Sequence, residues 1–99
     1  MRATTSAQRL LPLRREQRYT VRLDGLLVLG HAHVRLRLLD VSRNGALAEA
    51  LTPPEPGEDV RLACRGVVRT AHASWVRDAR FGLVFTAPLG SAELAALLT

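Results

Sequence analysis

Three arginines, Arg14, Arg15 and Arg18, fall close together near the start of the chain. A guanidinium keeps its charge at any cellular pH and holds its N–H donors in a rigid planar fork. It can grip a phosphate, or the O6/N7 edge of a guanine, through parallel hydrogen bonds. A second group of reactive types follows after two strand-like runs, in Asp40-Val41-Ser42-Arg43-Asn44-Gly45. Asp40 supplies a carboxylate, Ser42 a hydroxyl, and Gly45 a point where backbone can approach a ligand closely. A carboxylate accepts from the N1–H and N2–H edge of guanine, which the arginines cannot read. Together the two groups suit a ligand that carries both guanine and phosphate, and suit a simple anion poorly.

Those side chains need a scaffold, and the chain is long enough to supply one. Its 99 residues make a single domain that can bury its own core, with 47% hydrophobic and 23% charged residues. Fourteen basic residues against nine acidic ones give +5, which favours an anionic partner. All the basic residues are arginine. Genome base composition by itself can produce that bias, so position carries the argument. Arg9 to Arg22 holds five arginines against one glutamate, Glu16. Cys64 is the sole cysteine, which rules out an internal disulfide. Met1 to Leu13 has too short an apolar core for a signal peptide, and no apolar run reaches transmembrane length, so a cytoplasmic location is expected.

Residues 1–13 are polar and small in pattern and read as a flexible tail that can order when the site fills. From Tyr19 the apolar period becomes two, with Val21, Leu23, Leu27 and Leu29 on one parity. Asp24-Gly25 reads as a bend or bulge and Gly30-His31 as a turn. Val34, Leu36 and Leu38 then alternate with His33, Arg35 and Arg37, a half-buried strand. Asp40 to Asn44 reads as a loop and Ala46 to Ala50 as a short strand after Gly45; Pro53 to Gly57 is a connection. Val60, Leu62 and Cys64 mark a further strand, Arg65-Gly66 a turn, and Val67 to Val76 a long strand. Asp78-Ala79 turns into a last strand with Phe81, Leu83 and Phe85 inside. Turns spaced at this interval belong to an all-β barrel or sandwich. After Gly90 the pattern is helical, with Ser91 able to cap, Glu93 in the first turn, and Leu94, Leu97 and Leu98 on one face. So short a helix must pack on the barrel, plugging an end or covering an edge strand.

Arg14-x-x-x-Arg18, then two strands, then Asp40-x-Ser42-x-x-Gly45 resembles the RxxxR and DxSxxG signatures of the PilZ domain, a bacterial receptor for cyclic di-GMP. The likeness runs from Leu13 to Phe85, where Phe81-Gly82-Leu83-Val84-Phe85 looks like the family's closing hairpin. The resemblance implies a six-stranded antiparallel β-barrel over residues 14–99, with a short C-terminal helix and the ligand bound outside. Arg14 and Arg18 would fold over guanine edges and phosphates, with Arg15 as an auxiliary clamp. Asp40, Ser42 and Gly45 would close the site from the barrel wall, and Trp75 would stack on a guanine. Leu13, apolar and just ahead of the first motif arginine, implies one ligand per domain. No cofactor is implied beyond the ligand. A receptor of this size would order its arginine segment on binding and signal to a partner protein.

Other readings stand beside that one. An OB-like barrel for nucleic acid fits the charge, but four aromatics are few for a stacking platform. A PilZ-like module that binds protein without ligand is the other alternative. His31 and His33 place two rings on one strand face with no further metal ligand in view, so solvent-facing histidines are expected. Cys64 shares the face of Val60 and Leu62 and reads as core. Trp75 shares parity with Ala71 and Ala73, which leaves core packing and ligand stacking both open. Ser42 has no evident histidine base, and no paired carboxylates or Gly-rich phosphate loop occurs, so no enzyme is expected.

Overall fold

The alternation of apolar and polar residues resolves into six strands in a computed structural model that describes residues 16–99. They are β1 (Tyr19–Leu29), β2 (Ala32–Val41), β3 (Gly45–Glu49), β4 (Asp59–Cys64), β5 (Val67–Arg77) and β6 (Arg80–Phe85), followed by helix α1 (Ser91–Leu98). All pairings are antiparallel, and the strands close into a barrel in the order β1-β2-β3-β6-β5-β4. Closure leaves no free sheet edge to protect.

The core is filled by the inward parity of every strand. Leu27, Leu36, Leu38, Val60, Leu62, Phe81, Leu83 and Phe85 are buried, with Ala46, Ala48, Ala71 and Ala73 opposite the larger residues. Bulky side chains on β2 and β6 thus meet small ones on β3 and β5, which lets a narrow barrel fill without voids. Fully burying a side chain such as Phe81 contributes about 1.5–3 kcal/mol. Cys64 lies in this core with its thiol pKa pushed up by burial. Arg65 and Gly66 both take positive φ, 52° and 79°, the backbone a two-residue hairpin turn requires.

The structure relocates several expected features. β1 runs unbroken through Asp24-Gly25, and its irregular pairing with β2 lies earlier, between Thr20 and Leu23. Gly25 is instead small because β4 closes the barrel there: a Cβ would come 2.8 Å from the Ala63 carbonyl oxygen. β2 continues to Val41, so Asp40 stands on a strand and the loop shrinks to Ser42–Asn44. The N-cap of α1 is Gly90, not Ser91, and the Glu93 carboxylate accepts from the Gly90 N–H at 2.8 Å. Glu93 also pairs with Arg69 of β5. Leu89 and Leu97 are buried in the core cluster, and α1 lies against β1 and β5. The helix therefore covers the barrel end where β2 passes into β3, and among the described residues no edge strand is left for it to shield. The expected tail at residues 1–13 lies outside the described residues.

Gly45 has no Cβ because the β6 backbone crowds it, and a Cβ would sit 2.2 Å from the Leu83 carbonyl oxygen. Gly45→Ala must therefore push β3 and β6 apart and should cost about 1–3 kcal/mol. Gly57→Ala, at φ 87° with open space around it, should cost about 1 kcal/mol through backbone strain alone. Thermal melts check the order; an equal loss for the two variants would show that the β3–β6 contact gives way easily.

Candidate functional site

Strand register brings the first site residues together. Tyr19 pairs with Val41 and Thr20 with Asp40, so the residue just before β1 lands beside the end of β2. That residue is Arg18, and its Nη2 donates to Asp40 Oδ1 at 2.6 Å. Both groups are partly open to water, with side-chain exposures of 48% and 23%. An ion pair in that setting contributes only about 0.2–1 kcal/mol and can be exchanged for other partners.

Ser42 follows two residues later and is fully buried. Its backbone N–H donates to the Gly45 carbonyl at 2.9 Å, closing a tight turn. Its Oγ accepts from the Asn44 and Gly45 amides, each at 3.2 Å. Both lone pairs are then committed, so the hydroxyl proton must point outward. It donates to Glu16 Oε2 at 2.7 Å; the Gly45 carbonyl, at 3.4 Å, is a much poorer acceptor. Glu16 Oε1 lies 3.7 Å from Arg18 Nη1. The Ser42 hydrogen bond, against opposing desolvation and with help from Asn44 and Arg18, holds the Glu16 carboxyl below its ordinary pKa.

The turn is held from behind. Arg43 Nε donates to the Leu89 carbonyl at 3.1 Å, the Leu89 N–H returns to the Arg43 carbonyl at 2.8 Å, and the Phe85 N–H donates to the Asn44 carbonyl at 2.8 Å. Asp40 and Ser42 are thereby mounted on a rigid wall. Gly45 starts β3 without positive φ, so close strand packing, not turn conformation, explains its type.

Trp75 reaches the same exterior by another route. A register irregularity between Ala73 and Trp75 breaks the inward parity, so Ala71 and Ala73 are buried while Trp75 is 43% exposed. Its indole lies over Gly82, where a Cβ would meet Nε1 at 2.3 Å. Asp40 pairs with Leu47, Leu47 with Gly82, and Gly82 with Trp75, one row across four strands. At the usual strand spacing the row spans about 14 Å between its end Cα atoms. Trp75 is thus placed outside the core, on the wall that carries Asp40.

Arg14, Arg15 and Leu13 lie outside the described residues. Two residues of the site, Glu16 and Asn44, were passed over in the sequence because each is an unspecified position inside its motif. A groove lined by Asp24, Arg35, Arg37, Glu49 and Leu51 lies elsewhere on the described surface and holds none of the motif residues. Arg37 there is already paired with Asp24 at 3.4 Å. His31 and His33 are exposed, and among the described residues no three His, Cys, Asp or Glu side chains come together. No helix among them is long and apolar enough to cross a membrane.

A family model described as the PilZ domain matches residues 12–99. No curated protein matches the chain.

The lowered Glu16 pKa has a consequence for stability. A carboxylate whose folded pKa is depressed stabilises the fold fully at neutral pH and loses that contribution as pH falls through the folded value. The stability gap between wild type and Glu16→Gln, expected to be about 1 kcal/mol or less at pH 7, should close on acidification. Melts at pH 7 and pH 3 test this, and a gap that widens at low pH would contradict it.

Proposed function

Since the chain belongs to the PilZ domain family, we propose that it is a bacterial cytoplasmic receptor for cyclic di-GMP, with residues 14–99 as the receptor domain. The observation that carries the reading is the 2.6 Å contact of Arg18 with Asp40, beside the buried Ser42 turn. The second arginine of one motif and the acid of the other meet on one patch of barrel exterior. Family membership supports cyclic di-GMP binding by this module in general; the roles of individual residues are the proposal.

Arg18, with Arg14 and Arg15 from the preceding segment, takes phosphate oxygens and guanine O6/N7 edges. Asp40, freed from Arg18, accepts from the guanine N1–H and N2–H edge. Ser42 and the backbone at Gly45 contact the ligand from the wall, and Trp75 stacks on a guanine face. The exchange is energetically sound. Opening a half-exposed ion pair forfeits less than about 1 kcal/mol, whereas each charge-assisted bond gained contributes about 1.5–3 kcal/mol. Three or four such bonds, together with guanine stacking on Trp75, work against the cost of ordering the arginine segment; micromolar binding corresponds to about 8 kcal/mol. The ordered segment then offers a changed surface to a partner protein.

Calorimetry with cyclic di-GMP should give micromolar or tighter binding at one ligand per domain. Arg18→Ala and Asp40→Ala should each weaken it by at least about tenfold, a loss of about 1.4 kcal/mol. Absence of heat with wild type, or wild-type affinity in both variants, defeats the proposal. Trp75 is the sole tryptophan, so its emission should change along the same binding curve. An unchanged spectrum at saturation removes Trp75 from the site.

A further inference from the structure

The Ser42 turn donates before any ligand arrives. With both Oγ lone pairs held by the Asn44 and Gly45 amides, the hydroxyl proton is fixed outward toward Glu16. Arg18 faces the same carboxylate at 3.7 Å. A hydroxyl and a guanidinium converging on two oxygens make a seat for an oxyanion, and Glu16 fills it. We propose that Glu16 is a resident competitor in the free protein, holding the seat between the Ser42 hydroxyl and Arg18 that one phosphate of the ligand takes on binding.

The proposal rests on the receptor reading above and adds one residue to it, Glu16. Ser42 is fully buried, and leaving its donor unmet would cost about 1–3 kcal/mol. Glu16 therefore leaves readily only when another acceptor arrives, and a phosphate oxygen is a suitable replacement. A carboxylate and a phosphate cannot share the seat, since like charges in contact repel. Glu16 also lies between Arg14 and Arg18 in the chain. A ligand that draws those arginines onto its own phosphates moves the segment that carries the competitor. Occupancy of the seat by Glu16 thus raises the ligand concentration needed and makes rearrangement of the arginine segment a condition of binding.

The test uses the full chain as wild type, Glu16→Ala, Glu16→Gln and, as a control for net charge, Glu49→Gln at the far end of β3. In calorimetry with cyclic di-GMP, Glu16→Ala should bind about 3–10-fold tighter than wild type, a gain of about 0.7–1.4 kcal/mol. Glu16→Gln, which keeps an acceptor for Ser42 without the charge, should fall between them, and Glu49→Gln should match wild type. Equal or weaker binding by Glu16→Ala, or an equal gain in Glu49→Gln, overturns the competitor while leaving the receptor intact. A second readout is independent of the dinucleotide. Inorganic phosphate, followed by amide NMR, should shift Asn44 and Gly45 at lower concentration in Glu16→Ala than in wild type. Equal or absent shifts overturn the seat whether or not cyclic di-GMP binds. Phosphate shifts without dinucleotide binding would instead uphold the seat and defeat the receptor.

Discussion

The register of β1 on β2 is the constraint from which the site follows. Because Thr20 lies opposite Asp40, the backbone leading into the barrel is committed to pass the end of β2, which brings Arg18 within reach of Asp40. The 2.6 Å ion pair is a result of that pairing and contributes little to holding it. What holds it is the inward set of β1 and β2, Leu27, Leu36 and Leu38, whose burial would be lost if the strands slipped by one residue. Apolar packing thus positions a polar contact that is too weak to position itself. A pair set in this way can be opened by a ligand without loosening the barrel.

The opposite side of the site is fixed by different means. The Ser42–Asn44 turn is tied through main-chain bonds to Phe85 and Leu89, and Leu89 is buried where α1 covers the barrel end. The helix therefore does more than close a hole, since its lead-in segment braces the turn from below. A rigid turn facing a segment held by the Arg18–Asp40 pair and the Ser42–Glu16 hydrogen bond, both exchangeable, divides the labour. One half keeps its donors aimed, and the other can move.

Much of this was legible in the sequence because barrel strands alternate and turns need particular residues. Val34-Leu36-Leu38, Val60-Leu62-Cys64 and Phe81-Leu83-Phe85 each point inward as their spacing requires. The closed six-stranded barrel with its short helix follows from those runs and from the family resemblance. Parity failed at Trp75, because one register irregularity reverses every inference drawn from Ala71 and Ala73, and no residue type announces it. The reason for Gly45 was also hidden: the Leu83 carbonyl is distant in sequence, and a glycine beside a loop suggests turn conformation first. Ser91 looked like a cap by type, yet Gly90 takes the position with extended backbone while Glu93 satisfies its N–H. Glu16 counted in the sequence only as one acid among five arginines. Its contact with Ser42 spans 26 positions and exists only once β1 and β2 pair.

The charge pattern of the site also limits what it can hold. A bare anion drawn to Arg18 meets Asp40 at contact distance and Glu16 beside it, so the attraction of one cation is offset by two carboxylates. A ligand overcomes this only if it gives the carboxylate something to accept while giving the guanidinium something to grip. Guanine presents N1–H and N2–H donors on one edge, and a phosphate supplies the anionic oxygens, so one molecule meets both demands. Discrimination against simple anions then comes from their offering Asp40 no donor in place of Arg18, so that the pair they open is not replaced. In the proposed complex, selectivity depends on the acid as well as on the arginines.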